Sequence, residues 1–180
     1  MSRFIAPLAL ALALALALAP GSALAQDAAG TQAPLVERHA NTPPGRILQA
    51  VTVRPGAELL FLSGQLASPI DPAATQGKPP EQVTAADYGD TKAQTVSTLK
   101  NIEAVLAAQG YAMSDVIKMT AFVAGDPAMG GRMDFAGFNA GFAEFFGSAE
   151  NPNTVARSTF QVAALVGPQF LVELEVIAAK

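Results

Sequence analysis

The chain has 180 residues, 11 Lys and Arg against 15 Asp and Glu, a net charge of −4, a single histidine and no cysteine. An acidic balance argues against nucleic acid and anionic membrane surfaces as partners. The lack of cysteine excludes a disulfide framework and a lipid-modified cysteine, and together with a lone His39 it leaves no expected zinc, haem or iron-sulfur site.

The first segment reads as a secretory signal peptide. Arg3 supplies a positive start, residues 8–19 alternate Leu and Ala, and Ala23-Leu24-Ala25 offers a small-x-small cleavage site. The apolar run falls short of the ~20 residues a membrane span needs. Cleavage after Ala25 removes one positive charge and leaves residues 26–180, expected to be periplasmic or secreted with no membrane in the mature form. The overall 51% hydrophobic content is inflated by this segment. One domain large enough to bury a core remains.

Residues 26–44 read as a flexible leader containing Pro34, Pro43, Pro44 and His39, and residues 45–180 as the folded domain. Residues 47–53 and 58–63 read as strands joined through Arg54-Pro55-Gly56-Ala57, which predicts a first hairpin. Ser63-Gly64-Gln65 ends the second strand, where Gly64 presents an open backbone. Residues 66–89 lack periodicity and read as a long functional rim or lid. A helix follows, capped by Asp90 or Thr91, with Gln94 placed as in a capping box, Val96, Leu99, Ile102 and Leu106 on one stripe, and Gly110 at its end.

Residues 115–124 read as a central strand apolar on both faces, covered by helices on one side and by a partner subunit or another layer on the other. After Gly125-Asp126-Pro127 a second helix carries Phe135, Phe138, Phe142, Phe145 and Phe146. Gly137 and Gly141 are expected to let it lie close to the sheet. The last quarter, residues 155–162 and 170–178 around Gly167-Pro168, predicts an antiparallel hairpin that sets Arg157 beside Glu173 and Glu175 on neighbouring strands. The resulting order, β-β-α-β-α-β-β, predicts an α+β fold with the helices on one face of a small mixed sheet.

Nucleotide-loop, dinucleotide and serine-hydrolase motifs are absent. Two glutamates on one strand lie only about 7 Å apart, with no aromatic platform beside them, which disfavours a glycosidase. From pattern alone, Arg157 with Glu173 is either a solvated strand surface carrying an exposed ion pair or a site for small acidic metabolites. In the second reading a guanidinium forks onto a carboxylate and a nearby acid moves protons.

Taken together, Ser63-Gly64-Gln65, Gln94-Thr95, Leu99-Lys100-Asn101, Asp115-Val116-Ile117-Lys118, Phe138-Asn139 with Phe145-Phe146, Ala156-Arg157-Ser158-Thr159 and Val172-Glu173-Leu174-Glu175-Val176-Ile177-Ala178 resemble the Rid family, also called YjgF, over residues 45–179. The resemblance implies a chorismate-mutase-like α+β subunit assembled as a homotrimer with clefts between subunits. It also implies cofactor-free, metal-free hydrolysis of imine or enamine groups on small carboxylate-bearing metabolites, with release of ammonia. By the same resemblance Arg157 grips the substrate carboxylate and Glu173 positions or protonates water, while Thr159, Gly64 and Asn139 line or support the cleft. The chain departs from the family pattern at Ile47, where active members carry a tyrosine, at Arg46, where proline is usual, at Phe142, often tyrosine, and in the longer loop 66–89. A non-catalytic carboxylate-binding module on the same trimeric fold is the alternative.

Overall fold

The computed structural model describes residues 33–180. The signal peptide and the first part of the leader, residues 26–32, lie outside the described residues. Six strands and three helices follow one another as β1 (Val36–Ala40), β2 (Leu48–Val53), β3 (Leu59–Leu66), α1 (Pro72–Thr75), α2 (Thr91–Ala108), β4 (Val116–Ala124), α3 (Phe135–Phe142), β5 (Ala156–Val162) and β6 (Val172–Ala179). The strands form one mixed sheet in the order β1-β2-β5-β4-β6-β3.

Strand β4 holds the centre because it is apolar on nearly every residue, so it gains most by having a neighbour on each side. It pairs in parallel with β5, Met119 opposite Arg157 and Ala121 opposite Thr159. It pairs antiparallel with β6, Ala121 opposite Leu174 and Phe122 opposite Glu173. The expected C-terminal hairpin is therefore absent: β5 and β6 flank β4, and residues 163–171 carry the chain past its end. The expected first hairpin is absent as well. Both strands form, but β2 pairs with β1 and touches β5, whereas β3 runs along β6 at the opposite edge.

One face of the sheet meets the helices. Met119, Ala121 and Val123 of β4 and Val172, Leu174 and Val176 of β6 join Leu99, Ile102 and Leu106 of α2 and Phe138 and Phe142 of α3 in a single core. The other face presents Lys118, Thr120 and Phe122 with Glu175, and leaves Phe61 66% and Phe160 52% exposed. No described element covers it.

Helix α2 starts at Asp90, whose carboxylate accepts from the Ala93 N–H. Gln94 is fully buried and does something other than complete a capping box. Its amide donates to the carbonyls of Gly89 and Gln169 and accepts from the Leu171 N–H, tying the helix start to the entry of β6. Helix α3 is shorter than the phenylalanine spacing predicts, yet Phe146, in the turn beyond it, still stacks on Phe142 at 4.8 Å between centroids. Gly141 packs against α2 rather than against the sheet, because a Cβ there would lie 2.8 Å from the Thr95 Cβ and 3.0 Å from the Lys92 carbonyl oxygen.

Part of the expected loose leader is ordered as β1. Its residues pair with β2, His39 bonds to Thr52, Glu37 pairs with Arg54, and Arg38 donates to the carbonyl oxygens of Ser114 and Val116. The loop 66–89 is likewise folded on itself. It contains α1 and two short 3₁₀ turns, and a 2.6 Å ion pair from Lys78 to Asp87 closes it.

Candidate functional site

Arg157 extends from β5 toward the helices, on the same face as Met119 of β4. Its guanidinium lies over two rings of α3, 4.9 Å from the Phe138 centroid and 4.4 Å from the Phe142 centroid. The helix that supplies those rings is started by Asp134, which accepts from the Gly137 N–H. Asn139, one residue after Phe138, donates its amide N–H to the Phe135 carbonyl oxygen, and this turns its side-chain oxygen toward Arg157 Nη2 at 2.8 Å. The rings fix the plane of the guanidinium and the asparagine fixes its rotation.

The remaining valences are the informative part. Arg157 Nη1 is buried and has no hydrogen-bond partner, and the same holds for Thr159 Oγ1, two residues further along the same face. No carboxylate pairs with Arg157 among the described residues. Burial, aided by the nearby charge of Arg46, lowers its pKa to about 10, so the guanidinium stays charged at neutral pH without a counter-ion. A desolvated cation with an unused donor gains stability from an anion that restores what water no longer supplies. The adjoining backbone is open too. Strand β2 meets β5 at one pair, Leu48 with Ala156, so the edge of β5 beyond Arg157 has no described neighbour.

Glu173 and Gly64 form a second constellation. Glu173 sits on β6 opposite Phe122 on one side and Leu66 on the other, facing the uncovered side of the sheet. Between Leu62 and Gln65 the register of β3 shifts, which brings the Gly64 backbone beneath that carboxyl group. A Cβ on Gly64 would fall 2.0 Å from Glu173 Oε1, so this position of the carboxyl group requires glycine. Glu175 shares the face but is exposed, opposite Thr120.

The structure thus brings Arg157, Asn139 and Thr159 together, and Glu173 with Gly64, while keeping the two groups apart. With β4 between them and a three-residue offset in register, the Cα atoms of Arg157 and Glu173 are about 14 Å apart, and their side chains leave opposite faces of the sheet. Sequence reasoning placed them side by side through the hairpin that does not form. It also missed the aromatic bed of Phe138 and Phe142, which their spacing of four on a helix signals, and it noted Arg46 only as a departure from the family pattern, not as a neighbour of Arg157.

A cavity of about 280 Å³ adjoins the arginine, lined by Gly45, Arg46, Phe142, Ala143, Phe146, Gly147 and Thr154. A larger one of about 390 Å³, with Glu103, Glu144 and Glu150 in its lining, contains no basic side chain and suits no anion. Among the described residues no cluster of three or more His, Cys, Asp and Glu side chains converges as a metal ion requires.

Comparison with known proteins gives a consistent picture. The family described as Endoribonuclease L-PSP matches residues 39–180. A RutC family protein of Pyrococcus horikoshii is 37% identical over 142 residues, covering 79% of this chain and 93% of that protein. A protein of Salmonella typhimurium named 2-iminobutanoate/2-iminopropanoate deaminase is 32% identical over 122 residues, covering 68% of this chain and 80% of the relative. Among solved structures, Escherichia coli TdcF with bound serine superposes with a TM-score of 0.50 at 30% identity, covering 82% of this chain and 98% of that one.

Proposed function

The chain belongs to the Rid/YjgF family, and from that premise we propose that it is an exported, cofactor-free deaminase that hydrolyses the imine or enamine group of small 2-imino acids. The observation that carries this reading is the half-buried Arg157, set over Phe138 and Phe142 and bonded to Asn139, whose Nη1 is buried without a partner and which has no acidic partner among the described residues. Two of its N–H groups can fork onto a substrate carboxylate and hold a planar imino acid along the open edge of β5.

Glu173 then positions the water that adds to the C=N carbon. Addition gives a carbinolamine; proton transfer to nitrogen and collapse release ammonia and leave a 2-oxo acid, so that one water is consumed per imine. Because Arg157 and Glu173 diverge within one chain, the active cleft in this proposal is shared: Arg157 of one protomer faces Glu173 and Gly64 of its neighbour in a homotrimer. The uncovered sheet face with Phe61 and Phe160 supplies the apolar surface for that assembly. The names of two relatives agree with small amino-acid-like ligands, one a 2-imino acid deaminase and the other a protein solved with serine. A polynucleotide substrate fits poorly, because the chain is acidic and Arg157 stands in an aromatic recess rather than in a basic stripe.

The test expresses the full 180-residue chain, determines the N-terminus of the protein recovered from the exported fraction, and follows its release of ammonia from freshly generated imino acids. The expected result is turnover and a chain beginning at Gln26. The binding-module alternative draws on Ile47, an aliphatic side chain that offers no hydroxyl to the cleft. It is the outcome if carboxylates bind through Arg157 while ammonia release stays at the spontaneous rate. Retention of residues 1–25 on the purified protein would overturn export.

A further inference from the structure

Arg157 is not the only cation at its recess. The residue pair Gly45-Arg46 enters β2 two positions before Leu48, the one β2 residue that pairs with β5. This puts Arg46 beside Thr154 on the wall of the 280 Å³ cavity, which also includes Phe142, the ring on which Arg157 lies. None of the seven residues lining that cavity is acidic, and Arg46 makes no ion pair among the described residues. Arg46 therefore borders this small, partly apolar space, and Arg157 stacks on the Phe142 ring that forms part of its wall. The charge of Arg46 is the second cause, after burial, of the lowered pKa of Arg157.

Holding two like charges together without a counter-ion is unfavourable, and a ligand bearing one negative charge relieves only half of it. We propose that Arg46 is a specificity-determining residue that selects substrates with two carboxylates, namely 2-imino acids of four or five carbons whose side chain ends in a second carboxylate. This inference rests on the deaminase reading of the same site. The 2-carboxylate takes Arg157, and the short aliphatic stem carries the distal carboxylate to Arg46. Arg46 is exposed, so its attraction acts across water and is weakened by salt.

The experiment compares kcat/KM for imines generated in situ by amino-acid oxidases from aspartate and glutamate with those from 2-aminobutanoate and norvaline. It uses the wild type, Arg46→Ala, Arg46→Lys and Arg46→Glu. The exposed position of Arg46 leaves folding of these variants intact, which a thermal melt verifies. In the wild type the dicarboxylate imines are favoured by about three- to fivefold, as an exposed ion pair provides. Arg46→Ala removes that ratio, Arg46→Lys keeps part of it, Arg46→Glu inverts it, and 0.5 M salt shrinks it. A ratio that is unchanged in Arg46→Ala overturns the inference even if every imine is hydrolysed. If no imine is turned over, the deaminase reading falls and equilibrium binding of glutarate against butyrate decides the inference by itself. Tighter binding of glutarate that depends on Arg46 supports it, and equal binding in wild type and Arg46→Ala overturns it.

Discussion

Replacing Arg157 with alanine is expected to lower kcat/KM for imino acid hydrolysis by about a thousandfold, through the loss of two charge-assisted hydrogen bonds worth about 2 kcal/mol each. Most of the loss should appear in KM, because the guanidinium holds the 2-carboxylate equally before and during water attack. Arg157→Lys should recover only a small part, since an ammonium keeps the charge but cannot fork onto a carboxylate or lie flat between Phe138 and Phe142. Arg157→Met keeps the packing volume on those rings and removes a buried donor that has no partner, so this variant should fold as well as the wild type while failing to bind. Steady-state ammonia release paired with thermal melts checks all three. A Met variant with near-normal turnover would remove Arg157 from the chemistry.

Gly64→Ala should behave in the opposite manner, binding well and reacting slowly. Glycine 64 lies outside the left-handed region, so an alanine backbone fits there, and the atom its Cβ meets is the far end of a flexible glutamate. The fold therefore pays little, and stability should change by less than about 1 kcal/mol. The carboxyl group of Glu173 cannot stay where it is with a methyl group 2.0 Å from Oε1. It should swing away from the water it is proposed to position, and kcat should fall by about a hundredfold, approaching the value for Glu173→Gln, with KM nearly constant. A methyl group acting at a distance in this way separates a positioning role of Gly64 from a structural one. Full activity in Gly64→Ala alongside an inactive Glu173→Gln would mean that the observed placement of Glu173 is not the working one.

The local elements were legible because each carries its own period. The spacing of Leu99, Ile102 and Leu106 marks α2, that of Phe135, Phe138 and Phe142 marks α3, and the β-branched and aromatic run marks β4; all three form where they were expected, α3 ending early at Phe142. Strand pairing was not legible, because a short turn such as Gly167-Pro168 reports only that the chain reverses. Which strand lies beside β5 is decided by how much apolar surface β4 must bury on both sides, a property of the whole sheet. Strand β1 escaped notice for a related reason. It is a short edge strand among prolines, held by Arg38, His39 and the pairing of Glu37 with Arg54 rather than by an apolar face.

The site divides in the same way. Arg157, Asn139, Thr159, Gly64 and Glu173 were named through their motifs, and the structure gathers the first three around one recess and the last two on the far side of the sheet. Motifs preserve identity but carry no information on which face or which protomer presents a side chain. Arg46 was visible only as a departure from the family pattern. Its relation to Arg157 arises from a single inter-strand contact, Leu48 with Ala156, that nothing in either segment announces.

The claim on which the account turns is that Arg157 and Glu173 meet only across two copies of the chain. Mixing the two inactive variants, Arg157→Ala and Glu173→Gln, tests it most directly, after unfolding and refolding them together in equal amounts so that protomers exchange. After random reassortment about three rings in four are hybrid, and each has one cleft of its three that joins an intact Arg157 to an intact Glu173, so the refolded mixture should regain about a quarter of wild-type activity. Hybrid oligomers that form, as shown by a mass tag on one variant, yet release no more ammonia than either parent would contradict the shared site.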